Sequence, residues 1–120
     1  MEVTLYNGKG EPIAYIADDG ENSIYLWNGN AVSYFIDENV FGWNGQHLGW
    51  FVDGVIYDLQ GLRVGSVAER CPYSTYAQPA KYAKYAKYAK YARYAPYARS
   101  ALSTSYGNTD LLNFLQSGSA

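Results

Sequence analysis

The sequence predicts an all-β head made of four β-hairpin repeats, followed by a low-complexity arm and a short C-terminal helix. The first observation behind this is a short unit that occurs four times before residue 70, with glycines spaced by 19, 16 and 16 residues at Gly10, Gly29, Gly45 and Gly61. The second is a period-two alternation of apolar side chains after each glycine. The third is a change to a period-three Tyr-Ala-Lys pattern after Cys71.

Each repeat has the pattern of a β-hairpin. An apolar or aromatic pair such as Ile24–Tyr25 precedes a turn centred on Asn-Gly, Lys-Gly or Gln-Gly. Asn-Gly between apolar runs favours a hairpin with a type I′ turn, in which both central residues need positive φ. After the turn, apolar side chains alternate along the second strand, as in Val32, Tyr34 and Ile36. Links rich in Asp, Glu, Asn and Gly, such as Asp53–Gly54, separate the copies.

Four hairpins need a shared core, because a single hairpin is not stable in water. A pseudo-four-fold arrangement around one axis lets every hairpin contribute aromatic side chains to that core. An aromatic side chain buries about 150–250 Å², which makes such a core feasible in a small domain. The aromatic residues expected nearest the centre are Trp27, Tyr34, Phe35, Phe41, Trp43, Trp50 and Phe51.

The repeat resembles the four-fold β-flower family, a small bacterial fold of four hairpins in pseudo-four-fold symmetry. The resemblance rests on the I-Y-x-x-x-G…Y-I-D pattern, on the F-G-W-N-G-Q-H-L-G-W-F stretch that begins at Phe41, and on the number of repeats. It covers about residues 3–68. The first copy departs from the pattern at Gly8, where the others have Trp27, Trp43 and Leu59. Because the family has no established activity, the resemblance implies a fold and no function.

Composition divides the chain into three parts. Residues 1–70 form the head, residues 71–108 form a basic arm, and residues 109–120 form a short amphipathic helix and tail. The head has three cations and ten acids, which gives it a net charge of −7, whereas the arm has six cations and no acid. The whole chain has a formal net charge of −2. An acidic domain joined to a basic arm indicates self-association or a partner.

The period of the arm leaves three conformations open. Polyproline II has three residues per turn and would place the tyrosines, the cations and the alanines on three separate ridges. A helix over roughly Ala80–Ala95, broken at Pro96, competes because alanine and lysine are good helix formers. Plain disorder is the third possibility. Beyond the arm, a helix is expected from Asp110 to Gln116, capped by Thr109 or Asn108. Its apolar side would consist of Leu111, Leu112, Phe114 and Leu115, of which Leu112 and Leu115 are expected to dock on the head or on a neighbouring subunit.

Nothing in the sequence indicates an enzyme. His47 is the single histidine, and the pattern places none of the possible nucleophiles Cys71, Ser103 and Ser105 beside it. No phosphate-binding loop, paired-cysteine cluster or nucleophile elbow is present. The carboxylates that recur with the repeat are typical of solvated turns: Asp18, Asp37, Asp53 and Asp58. We therefore expect no catalytic residue, no cofactor and no metal.

Compartment signals are also lacking. The N-terminal letters M-E-V-T-L-Y have neither the positive region nor the apolar run of a secretory signal. No stretch approaches the roughly 20 apolar residues of a transmembrane helix. The single cysteine, Cys71, has no partner for an internal disulfide. The expectation is a cytoplasmic protein, although the sequence is also compatible with export by a signal-independent route.

The regular Lys and Tyr residues of the arm are not needed to fold the head, and we therefore expect the arm to bind a partner. A strict three-residue register favours packing against a regular object such as a second copy, and hence a homo-oligomer or filament. On this view the arm orders only within an assembly, because alone it has no face to bury. The alternative is single-stranded nucleic acid, since lysines neutralise phosphates and tyrosines stack on bases; an anionic surface would suit the same residues. The expected partner-binding residues are Lys81, Tyr82, Lys84, Tyr85, Lys87, Tyr88, Lys90, Tyr91, Arg93, Tyr94, Tyr97 and Arg99.

Overall fold

A computed structural model describes residues 2–119. Eight antiparallel strands form a closed barrel in which each strand pairs with its neighbours in the chain and β1 pairs with β8. The strands are β1 (Val3–Asn7), β2 (Pro12–Ile16), β3 (Ser23–Leu26), β4 (Ala31–Ile36), β5 (Asn39–Gly42), β6 (His47–Val52), β7 (Val55–Asp58) and β8 (Arg63–Ser66). A 3₁₀ turn at Ala68–Arg70 follows the barrel, and helix α1 spans Leu111–Gln116. The predicted all-β fold of four hairpins is confirmed.

The hairpin tips differ from the predicted turn type. At each tip the N–H of a glycine donates to the carbonyl three residues earlier, as from Gly29 to Leu26 at 3.0 Å, and the strand register shifts beside it. The glycine has positive φ, but the residue before it, such as Asn28, does not. This is the pattern of a type I turn followed by a glycine bulge, so the type I′ prediction was wrong. Two consecutive positive-φ residues occur instead in the link Asp53–Gly54, at 51° and 80°.

The centre of the barrel is aliphatic. An eight-stranded barrel is just wide enough for side chains to fill its interior. Phe35 and Phe51 pack against the central cluster with their ring centroids 4.9 Å apart, as expected. The strand residues buried in the cluster come from all eight strands: Leu5, Ala14, Ile16, Ile24, Leu26, Val32, Val40, Leu48, Ile56 and Val64.

Five of the seven aromatic residues assigned to the centre lie elsewhere: Trp27, Tyr34, Phe41, Trp43 and Trp50. They belong to three separate clusters, which we call the outer clusters because the arm packs over them. In the first, Tyr15 stacks on Tyr25 at 5.7 Å. Strand side chains alternate between two faces, and a period-two pattern does not say which face points inward. The prediction of an aromatic centre was therefore wrong, although these side chains are largely buried.

Helix α1 completes the central core. The side chains of Leu111, Phe114 and Leu115 are buried in the same cluster as the aliphatic strand residues. The Oγ atom of Ser33 on β4 donates to the carbonyl of Leu115 at 3.2 Å. Gly65 on β8 leaves room for the helix, since a Cβ there would approach the side chain of Leu111 within 2.8 Å. Strands and tail thus share one core.

The start of the helix corrects the predicted cap. Asp110 lies just before the helix, and its carboxylate accepts the N–H of Asn113 at 3.1 Å. Asp110 is therefore the N-cap residue, and Thr109 and Asn108 are not. Of the two leucines expected to dock, Leu115 is fully buried, whereas Leu112 is only partly buried against the core.

Candidate functional site

The arm wraps around the head of its own chain. Residues 71–105 contain no helix or strand, so the helix considered for Ala80–Ala95 is absent. Neither here nor elsewhere in residues 2–119 is any helix long and apolar enough to cross a membrane. Because the arm hydrogen-bonds to each of the four hairpins, the expectation that it orders only within an assembly was wrong.

Hydrogen bonds between the arm and the head repeat every nine residues of the arm. Four amides donate to the carbonyls of the four turn glycines, each at 2.9 Å: Tyr76 to Gly10, Tyr85 to Gly29, Tyr94 to Gly45 and Ser103 to Gly61. A second series begins with Tyr82 and Tyr91, whose amides donate to Trp27 and Trp43 at 3.0 Å. Nine residues further along, the hydroxyl of Ser100 donates to the carbonyl of Leu59 at 2.8 Å. Three triplets of the arm therefore cover one hairpin.

The length of this nine-residue module matches the size of the head. The molecule measures 35 × 35 × 23 Å. Nine residues of polyproline II span about 28 Å, and a quarter of the circumference of a circle 35 Å across is about 27 Å. The period of the arm thus has two consequences. Three residues return the chain to the same side, and three triplets bring it to the next hairpin.

The turn glycines allow this close approach. A Cβ on Gly29 would overlap the carbonyl oxygen of Ala83, and a Cβ on Gly45 would overlap that of Ala92. The glycines at the other two hairpin tips face the arm in the same way, with a backbone carbonyl oxygen against each. These contacts also repeat every nine residues. Glycine is thus required at the tips both for its positive φ and for contact with the arm.

Most cations of the arm form ion pairs with carboxylates of the head. Hydrogen bonds from the two lysines on Glu2 lower the pKa of that carboxyl group. Partial burial opposes the ionisation of Asp19, but hydrogen bonds, first from Lys87 and then from Ser23, hold its pKa well below the usual range. The pairs remain partly exposed, so screening by solvent keeps the contribution of each to stability small. The pairs with N···O distances of 2.5–2.9 Å are Lys81 and Lys84 with Glu2, Lys87 with Asp19 and Glu21, and Arg99 with Glu38.

Cations of the arm also lie over aromatic rings of the outer clusters. Lys81 and Lys90 are nine residues apart and occupy equivalent positions over consecutive hairpins. A cation over a ring face contributes about 0.5–1 kcal/mol at an exposed site. The distances to ring centroids are 4.7 Å for Lys81 over Tyr15, 4.2 Å for Lys90 over Tyr34 and 5.7 Å for Arg93 over Phe41. With the ion pairs, all six cations of the arm contact the head. We use the name track for the surface of the head beneath the arm. It consists of the outer clusters and of the carboxylates of Glu2, Asp19, Glu21 and Glu38.

Two ring nitrogens of the head fix the arm further. Nε1 of Trp43 donates to the carbonyl of Tyr88 at 2.7 Å, and Nδ1 of His47 accepts the N–H of Tyr97 at 3.0 Å. His47 is buried, with its ring 5.2 Å from that of Trp50, and burial lowers its pKa. A neutral imidazole is needed here, because a protonated Nδ1 could not accept this bond. His47 is thus an anchor for the arm.

Apart from the half-buried Tyr106, the tyrosines of the arm face solvent. Their accessible fractions lie between 59 and 79 %. The cations and the tyrosines occupy different phases of the three-residue period, and the structure turns the first toward the head and the second toward water. We call this exposed surface the tyrosine belt; it consists of Tyr73, Tyr76, Tyr82, Tyr85, Tyr88, Tyr91, Tyr94 and Tyr97.

A cavity of about 580 Å³ lies where the two ends of the arm meet, lined by Lys9, Tyr73, Tyr106 and Asp110 among others. Neither His47 nor a cysteine lines it. Within residues 2–119 no group of three or more His, Cys, Asp or Glu side chains could hold a metal ion. The arm and the track are therefore the features that call for a functional explanation.

Sequence reasoning named the arm residues and missed the track. Glu2, Asp19, Glu21 and Glu38 are scattered among acidic links, and no local pattern connects them to particular lysines. The sequence shows only that His47 has no nucleophile placed beside it, whereas in the structure it is a buried partner of the arm. One signal was available in the opposite charges of head and arm, which are those of two complementary surfaces.

Comparison with known proteins supports the fold and shows that the family covers more of the chain than the four repeats. No curated protein and no solved structure matches this chain. The 4-fold beta flower protein family matches residues 3–115. The match extends well past residue 68, where the resemblance of the repeats ended, and includes the arm and most of helix α1. The chain therefore belongs to the 4-fold beta flower family.

Proposed function

We propose that this protein is a non-enzymatic interaction module that self-associates through the tyrosine belt. The observation that carries the proposal is the separation of the two phases of the arm. All six cations contact the head of the same chain, and the eight tyrosines remain exposed. Eight large aromatic side chains that are each mostly exposed exceed what folding of the chain requires, and exposed apolar side chains in such number are typical of interaction sites.

A second copy of the chain suits this surface. Tyrosine offers a large contact area at a small cost in side-chain entropy, and it is enriched in protein interfaces. An aromatic pair contributes about 0.5–1.5 kcal/mol beyond its burial, so a stable contact needs several pairs together. Two belts have the same spacing along the chain and can match each other. With a net charge of −2, two copies repel each other only weakly.

Single-stranded nucleic acid is the weaker candidate. The exposed tyrosines could stack on bases. The phosphates, however, would need cations that already contact carboxylates and rings of an acidic head. Binding would have to displace the arm from the track. This candidate would gain support from binding whose salt dependence has a slope of about −0.7 per phosphate contact.

The test is the mass of the full-length protein in solution as a function of concentration. We expect sedimentation velocity to show reversible association of the wild type. A variant with four tyrosines of the belt replaced by serine should stay monomeric at the same concentrations, because half of the exposed rings are gone and a stable contact needs several aromatic pairs together. The four substitutions are Tyr82→Ser, Tyr85→Ser, Tyr88→Ser and Tyr91→Ser.

A matched control changes the same number of exposed residues in another phase of the arm: Ala80→Ser, Ala86→Ser, Ala89→Ser and Ala95→Ser. These alanines are exposed, and this control should associate like the wild type. Circular dichroism should show that all three proteins are folded. A wild type that is monomeric at every concentration, or a tyrosine variant that associates as strongly as the wild type, would overturn the proposal.

A further inference from the structure

The contact between the arm and the head is polar and shallow. Every residue from 71 to 108 is exposed or only half-buried. The arm is held by main-chain hydrogen bonds to turn carbonyls, by partly exposed ion pairs and by cations over rings. These contacts form wherever an arm of this sequence meets a track of this sequence. Nothing in them requires that both belong to the same molecule.

The deep contact lies beyond the arm. Leu111, Phe114 and Leu115 enter the central core, and the tail continues to Gly118, whose carbonyl accepts the N–H of Asn44 at 3.0 Å. In the covalent chain, the exposed arm is the segment that joins this helix to the head. An arm of 38 residues in polyproline II reaches about 110–120 Å, several times the 35 Å width of the molecule. A helix on such a connection can reach the barrel of a neighbouring copy.

We propose that residues 71–120 exchange between copies of this chain, so that the arm of one copy occupies the track of another and its helix completes the other's core. The proposal rests on the self-association proposed above, because the copies must meet. The hydrogen bonds, ion pairs and buried side chains are the same in both arrangements. The balance between them depends on protein concentration and on the chain path at Cys71–Pro72. Reciprocal exchange gives a closed dimer, and one-way exchange gives a chain of copies.

The experiment uses two full-length variants with complementary charge reversals. The head variant carries Glu2→Lys and Glu38→Lys, and the arm variant carries Lys81→Glu, Lys84→Glu and Arg99→Glu; these five side chains form three ion pairs between the arm and the track. Within either variant, the arm meets like charges on its own track. In a reciprocally exchanged heterodimer, the arm of each variant meets opposite charges on the track of the other. The two variants are unfolded together in urea, refolded by dilution and analysed by native mass spectrometry.

We expect heterodimers in about tenfold excess over either homodimer, because the reversed charges favour the mixed pairing and oppose the others. A control variant that carries all five substitutions in one chain has matched charges within each copy, and it should behave like the wild type. It also shows that the substitutions permit folding. Homodimers and heterodimers in statistical proportions, or monomers alone in the mixture, would overturn exchange.

The two proposals can fail separately. If the wild type associates and loses association on Tyr→Ser replacement, but the charge variants show no preference, exchange is wrong and the tyrosine belt stands. If the heterodimer forms preferentially while the wild type stays monomeric, the arm and track recognise each other between copies, but the tyrosine belt is not an assembly surface.

Discussion

The glycine at each hairpin tip meets two demands that a sequence pattern does not separate. Gly45 has φ 89°, a value that favours glycine, and it also faces the carbonyl of Ala92 in the arm. Gly20, in a link between hairpins, has φ 76° and no neighbouring atom within 4 Å of a Cβ built on it. The two positions share the backbone requirement and differ in the contact with the arm. Comparing them isolates the contribution of that contact.

We expect Gly45→Ala to be clearly more destabilising than Gly20→Ala. Each variant loses about 1 kcal/mol because alanine is strained at positive φ. Gly45→Ala also pushes the arm away and weakens the hydrogen bond from Tyr94 to the carbonyl of residue 45, which adds about 1 kcal/mol or more. Urea denaturation of both variants measures the difference. Equal losses of unfolding free energy would mean that the contact between arm and turn contributes nothing.

As an element, the arm is a strap whose length is fixed by the circumference of the head. Its contacts to Gly29 and Gly45 are nine residues apart along the arm. Six residues, even fully extended, span only about 20 Å, which is less than the roughly 27 Å of a quarter turn. The arm can therefore lose a triplet only by giving up a contact elsewhere, whereas it can bulge outward to accommodate an extra one.

Insertion and deletion of one triplet should therefore differ. Deletion of Lys84–Ala86 preserves the three-residue period but leaves the arm about 9 Å short. We expect the last hydrogen bonds, from Ser100 and Ser103 to the fourth hairpin, to break. Insertion of a second Lys-Tyr-Ala after Ala86 should retain them. Trypsin cleavage near Arg99, followed by mass spectrometry, should be faster in the deletion variant. Similar cleavage in both variants would show that the length of the arm does not decide whether these hydrogen bonds form.

The sequence contains the signals for these elements but not for how they meet. Period-two alternation predicts the strands, yet it fits both an aromatic and an aliphatic interior, and the aliphatic residues such as Val40 prove to point inward while Trp43 lies beneath the arm. The three-residue period separates tyrosines from cations. The pairing of Lys87 with Asp19, 68 residues apart, depends on how the arm winds around a completed barrel. A local pattern has no access to that geometry.

In the whole molecule, the arm is anchored at both ends. It begins at the end of the barrel, and helix α1 at its far end packs in the core of the same barrel. The barrel lacks part of its core without helix α1, and the arm lacks its far anchor without the same helix. Leu115 is fully buried in this core, and Ile56 on β7 is equally buried in the same cluster. Replacing either by alanine removes a similar side chain from the core. Only the change at Leu115, however, weakens the anchor of the arm.

We expect Leu115→Ala and Ile56→Ala each to lose about 2–5 kcal/mol of unfolding free energy, the range for truncating a buried aliphatic side chain. Their effects on the arm should differ. Under native conditions, local opening of the helix releases one end of the arm, so trypsin should cleave after Lys84, Lys87 and Lys90 faster in Leu115→Ala than in Ile56→Ala. Gln116→Ala, at an exposed position of the same helix, should match the wild type. Equal cleavage in the two core variants would mean that the track holds the arm without help from the tail. The tail and the arm would then be joined only by the covalent chain, and the stability of one would not depend on the stability of the other.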